Sequence, residues 1–105
     1  MTEYIESPVQ GGRSREYQLS KGYALGTYTT YNSTEGRLNE IWVASVYLGD
    51  ERSDYLIERI LTAPEFESKV SRNVQKGLTF FMVNERDIES VISTLNCWIA
   101  DLGDN

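Results

Sequence analysis

The chain has 105 residues, 40% of them apolar and 25% charged, the proportions of one ordinary soluble globule with a single core. Sixteen acidic against ten basic residues give a formal charge of −6, which repels nucleic-acid backbones, and the cations are scattered; direct nucleic-acid binding is therefore not expected. No apolar run approaches the ~20 residues of a membrane span, Met1–Glu6 carries no signal-peptide pattern, and a single cysteine rules out an internal disulfide framework, so the expected location is the cytoplasm of a cell or of a virus-infected host.

Residues 1–14 read as a flexible arm, because Pro8 and Gly11-Gly12 break regular structure; residues 15–105 are left as one folded domain. Glycines beside Arg13 and Arg15 can cradle an anion through backbone N–H groups, yet no helix of the phosphate-loop kind follows them. From Glu16 to Tyr31 the pattern has period two, with Tyr17, Leu19, Tyr23, Leu25, Thr27, Thr29 and Tyr31 on one parity. Gly22 and Gly26 predict a bulge or sharp twist in that strand. Asn32–Gly36 is a turn by composition, and a second strand follows over about 37–48. Its Ile41–Leu48 core is apolar on both parities and reads as a central strand. The two strands make a hairpin.

Gly49-Asp50 ends the hairpin and a helix begins near Glu51. Leu56, Ile57, Ile60 and Leu61 form its buried stripe, with Asp54, Tyr55, Glu58 and Arg59 opposite. Thr62-Ala63-Pro64-Glu65 then has the form of a new helix start, with Thr62 as N-cap, Pro64 in the first turn and Glu65 closing a capping box. That second helix would bury Phe66, Val70 and Val74, pair Glu65 with Lys69, and stop at Gly77. Leu78–Val83 is a short apolar run and reads as a strand buried on both faces. A long helix follows, N-capped by Asn84 with Asp87 reaching back, burying Ile88, Val91, Ile92, Leu95, Ile99 and Leu102 and ending at Gly103. The expected fold is α+β: a three-stranded, largely antiparallel sheet (the hairpin plus one strand) with two short helices and one long C-terminal helix on one face, in the order ββααβα.

The chain contains no histidine, which removes the commonest general base, the commonest metal ligand and every histidine triad. Cys97 has no visible activating base. Asp50, Asp54 and Glu58, four apart, line one helix face that could hold a hard cation, but they lack the compact acidic loop of a dedicated calcium site and read as solvated surface. No catalytic, cofactor-binding or metal-ligating residue is assigned, no cofactor is expected, and the protein is read as a non-enzyme.

Recognition of another protein is the remaining function class, and three surfaces are candidates for it. On the last helix, Ser90, Ser93, Thr94 and Cys97 fall together opposite the apolar stripe, forming a small and barely charged face that suits close approach of a partner chain or a second copy; Trp98 lies on its flank. On the hairpin, Tyr28, Tyr31 and Trp42 are candidate anchors, Tyr28 and Trp42 in particular being expected on the sheet face that one helical layer leaves uncovered. Asp54, Tyr55 and Glu58 form the third surface. The expected function is a small acidic inhibitor or adaptor that binds a basic partner surface, similar as a class to phage-encoded anti-defence inhibitors and to immunity proteins for toxins. The alternatives are a subunit of a homo-oligomer such as a homodimer, and a small-ligand binder or minor enzyme using the hairpin face.

Overall fold

Alternation of side chains between two faces, one covered and one bare, governs the arrangement of the strands. The computed structural model describes residues 3–30, the backbone of 41–47, and 51–102. The described residues form a six-stranded antiparallel sheet from β1 (Tyr4–Val9), β2 (Gly12–Gln18), β3 (Ala24–Thr30), β4 (Ile41–Tyr47), β5 (Val70–Gln75) and β6 (Leu78–Asn84). Their order across the sheet is β1-β2-β3-β4-β6-β5, so β1 and β5 are the edges. Two helices, α1 (Glu51–Thr62) and α2 (Ile88–Asp101), complete the fold. The α1 helix lies over β4, β6 and β5, and α2 packs beside it and against the Ser20–Gly22 turn. The mixed α+β class expected from the sequence is the class observed. The three-stranded sheet and the ββααβα order are corrected to six strands in the order ββββαββα.

Three local features account for the extra strands. The 1–14 segment is not an arm from residue 4 onward. Val9 pairs with Gly12 across the two-residue turn Gln10-Gly11, with Gly11 at φ +80°, and the boundary placed at residue 14 falls inside β2. The long strand expected over 16–31 is divided by a 3-10 turn at Ser20–Gly22, where Lys21 (φ 58°) and Gly22 (φ 83°) reverse the chain. This is the break that Gly22 foreshadowed. The turn expected at 32–36 lies outside the described residues.

The helix expected over 65–76 is replaced by a strand. Thr62 is the last residue of α1, and its hydroxyl donates back to the Glu58 carbonyl at 2.8 Å instead of capping a new helix. Pro64–Phe66 makes a single 3-10 turn, after which β5 and β6 form a hairpin. Its loop, Lys76-Gly77, has φ of 53° and 80°, the two left-handed residues of a type I′ turn, whose twist matches that of the strands it joins. The α2 helix begins one turn later than expected: Asn84 precedes a 3-10 turn, Glu85–Asp87, and neither Asn84 nor Asp87 makes a side-chain cap hydrogen bond.

The core is the inward parity of the sheet closed by the two helix stripes. Tyr17, Tyr23, Leu25, Phe81 and Val83 meet Leu56, Ile57 and Ile60 of α1 and Ile88, Val91, Ile92, Leu95 and Ile99 of α2, all buried. Phe66 seals the end of α1, and Leu61 and Leu102 pack half-buried at the margin. No helix among the described residues is long and apolar enough to cross a membrane. Within β6 the two parities differ: Phe81 and Val83 are buried, while Leu78 is 63% exposed and Phe80 and Met82 are half-buried. The strand expected to be buried on both faces is therefore covered, among the described residues, by helices on one face only. Replacement of Phe81 by Ala is expected to cost about 3–5 kcal/mol in urea unfolding, against less than about 0.5 kcal/mol for Leu78→Ala. Equal costs would show that the two faces of β6 are not the covered and bare faces assigned here.

Candidate interaction surfaces

The most closely built polar cluster is centred on Arg15. Its position shares the inward parity of Tyr17 and Leu25, so the sheet carries a guanidinium on its covered face, opposite the buried Thr27. Arg15 is 9% exposed. Its Nε donates to Glu6 Oε1 at 2.8 Å from the neighbouring strand, and its Nη1 donates to Glu85 Oε1 at 3.1 Å from the turn before α2 and to the Tyr17 hydroxyl at 3.4 Å. The Tyr4 ring stacks on it, with the guanidinium carbon 4.4 Å from the ring centroid, and Tyr4 also packs on Tyr17 at 5.2 Å between centroids. Burial alone would weaken the charge on Arg15. The hydrogen bonds to Glu6, Tyr17 and Glu85 outweigh it and hold the guanidinium above its ordinary pKa. The cluster fastens the outer strand β1 and the start of α2 to the middle of β2. It is a structural clasp.

The second surface is the sheet face on which no helix of the described residues packs. Register places Ile5, Val9, Tyr28, Leu78, Phe80 and Met82 on it, and among the described positions Glu16 is the single charged residue there. Ile5 is 65% exposed and Val9 is also exposed. Tyr28 is half-buried, and its hydroxyl donates to Gln75 Oε1 at 3.1 Å, reaching toward the far edge of the sheet. Tyr28 and Trp42, expected on one face together, have opposite parity: Tyr28 pairs with Val43, whereas Trp42 pairs with Val83. Tyr31 lies outside the described residues.

On the outer side of α1, Asp54, Tyr55 and Glu58 are exposed as expected. Glu58 is not a spare carboxylate. Arg72 of β5 grips it bidentately, at 2.6 and 2.8 Å, and this hydrogen bonding lowers the Glu58 pKa and raises that of Arg72. Arg59 donates to the Tyr55 hydroxyl at 3.2 Å and stacks over the Trp98 ring at 4.3 Å, so Trp98 ties the two helices together. Asp50 lies outside the described residues, and among those described no group of three or more acidic or cysteine side chains is placed to hold a metal ion. On α2, Ser90, Ser93 and Cys97 are exposed and Thr94 is half-buried, one contiguous outer face. An open groove of about 320 Å³ lies at the beginning of β5, lined by residues from Glu67–Ser71 and Met82–Asn84.

Reading the sequence missed the Arg15 clasp, although a signal existed. Arg15 continues the odd-numbered parity of Tyr17, Leu19 and Tyr23, and a charge on a buried parity requires counter-ions. No protein-family model, curated protein or solved structure matches the chain.

The clasp also has a consequence at alkaline pH. Burial raises the Tyr17 pKa above its ordinary value of 10.0, with Arg15 opposing. A group with a raised folded-state value contributes stability in full below its ordinary value and loses it as pH rises through the folded value. Urea unfolding from about pH 9 to about pH 11 is therefore expected to show a steeper loss for the native sequence than for Tyr17→Phe; parallel slopes would remove Tyr17 as the cause.

Proposed function

We propose that this protein is a small acidic, non-enzymatic protein-binding module, an inhibitor or adaptor that engages a partner with a basic surface and uses its helix-free sheet face as the contact. The observation that supports the reading is that face itself: apolar and aromatic side chains of three strands, β1, β3 and β6, stand on it, with Glu16 the single charge among the described positions, on a chain whose overall charge is −6. The division of labour follows from physics. Net negative charge accelerates encounter with a cationic partner and suppresses anionic ones, and the effect weakens with salt. Apolar anchors then supply the short-range free energy, with Tyr28 on β3 and Phe80 and Met82 across β4 from it on β6. The acidic outer side of α1, with Asp54 and Tyr55, lies on the opposite side of the sheet and contributes to the long-range field. The role suits the cytoplasm of a cell or of a virus-infected host, where an inhibitor of a nucleic-acid-binding enzyme would present charges of the sign its target expects.

The partner is expected to be retained from a host lysate at low salt and released as salt rises. Tyr28→Ala removes an anchor without touching the core, and binding is expected to weaken by about 30-fold or more, the loss of ~2 kcal/mol typical of a central aromatic. Equal capture by the native sequence and by Tyr28→Ala would move the contact off this face.

A further inference from the structure

The two edges of the sheet are finished differently, and the difference follows from hydrogen-bond phase. In a hairpin with a two-residue loop, the residues flanking the loop exchange both backbone hydrogen bonds, and pairing then alternates along the strands. Across Lys76-Gly77 the flanking pair is Gln75 and Leu78, so Gln75, Asn73 and Ser71 aim their backbone groups at β6. Val74, Arg72 and Val70 aim theirs outward. Across Gln10-Gly11 the flanking pair is Val9 and Gly12, so Pro8, Glu6 and Tyr4 are the outward row of β1.

The β1 edge is blunted. Pro8 has no N–H to offer, which is why a proline is accommodated in this strand, and the Glu6 side chain is turned onto Arg15. The β5 edge has no proline, and the one charge in its outward row, Arg72, is neutralised by Glu58. Its outward row keeps all its N–H and C=O groups, no hydrogen bond to them comes from the described residues, and Val74 is 59% exposed.

We propose that a second copy of this chain covers the β5 edge, the two β5 strands pairing antiparallel about a twofold axis at Arg72 and continuing the sheet from one copy into the other. That register is the one in which every outward group finds a partner. Val70 of each copy faces Val74 of the other, a β-branched pair on the helix side, and Ser71 faces Asn73 on the bare side. Shifting the register leaves one outward residue of each copy unmatched.

Arg72 meets its own counterpart on the axis. Bare guanidinium groups would repel there, but each is held bidentately by its own Glu58, so what meets is two neutral pairs. The local charge also permits self-association in a chain of charge −6: Glu58, Glu65 and Glu67 balance Lys69, Arg72 and Lys76 around this edge. The register sets each Lys76 against the Glu67–Ser68 turn of the other copy.

Sedimentation equilibrium on the full chain tests the proposal. The native sequence is expected at twice the chain mass of 12.0 kDa, and Val74→Pro at the single mass. Proline at position 74 removes an outward N–H and leaves the β5–β6 bonds intact, as Pro8 does in β1, so the far-ultraviolet circular dichroism is expected to be unchanged. Should that variant lose its fold, Val74→Lys, which only adds a charge to an exposed side chain, is expected at the single mass as well. Glu58→Gln strips the counter-charge from Arg72 and is expected to raise the dimer dissociation constant several-fold. A native chain at the single mass up to millimolar concentration, or a folded Val74 variant that keeps the double mass, overturns the proposal.

Discussion

A single constraint organises this molecule: among the described residues, two helices cover one face of a six-stranded sheet and none covers the other, so residue parity decides which chemistry each strand position can hold. On the covered side, Tyr17, Leu25, Phe81 and Val83 are removed from water against the stripes of α1 and α2. Burial of side chains of that size contributes about 1.5–3 kcal/mol each relative to exposure, which gives the register its strength. A one-residue slip would exchange Phe81 for Phe80 and Leu25 for Gly26 or Ala24, emptying the core at several places at once.

Arg15 obeys the same constraint at its limit. A charge on the covered parity would be costly without partners, and it finds two carboxylates and a phenol from different segments. Two of these partners lie outside its own strand, so satisfying Arg15 requires β1 to be zipped onto β2 and Glu85 to be in place before α2 begins. The clasp thus converts an electrostatic requirement into long-range order, joining residues 6, 15 and 85. The unpartnered hydroxyl of Tyr23, buried elsewhere in the core, shows that the fold does tolerate one polar atom without compensation among the described residues, but it is neutral and far less costly.

The two helices and the parity of β3 were legible in the sequence because their periods are unambiguous: five residues of the Ile88–Ile99 stripe recur at three and four, and Tyr23–Thr29 alternate at two. The β5 strand was not, for a specific reason. Phe66, Val70 and Val74 are spaced by four, a spacing that satisfies a helix of period 3.6 and a strand of period two alike. Thr62-Ala63-Pro64-Glu65 also has the form of a helix start, whereas Thr62 in fact bonds backward to Glu58. The turn that reveals the hairpin, Lys76-Gly77, puts a lysine at positive φ, a residue that carries none of the Asn-Gly signal usual there. The β1 strand was hidden for the opposite reason: every position is exposed, so it has no periodicity to read, and its proline sits where an outer edge accepts one. Of the candidate surfaces, Tyr28 is placed on the bare face and the Ser90–Cys97 face is exposed on α2. Glu58 is already engaged by Arg72, a pairing across elements that no local pattern encodes.

The bare face and the unblunted edge bear on each other through geometry. Tyr28 is hydrogen-bonded to Gln75, the last residue of β5, so this aromatic anchor of the face is tied to the edge strand at which a second copy would pair. In a dimer formed there, the sheet continues across the axis, and the helix-free faces of both copies lie on the same continuous side. Two equivalent apolar faces then flank one axis, with the acidic helices all on the other side. A partner that is itself symmetric, or that repeats a basic motif, would meet both faces at once, and the second contact would form at an effective concentration set by the rigid sheet in place of a flexible linker. Modest contacts at each face would then hold such a partner tightly, because the rigid sheet fixes their spacing in advance.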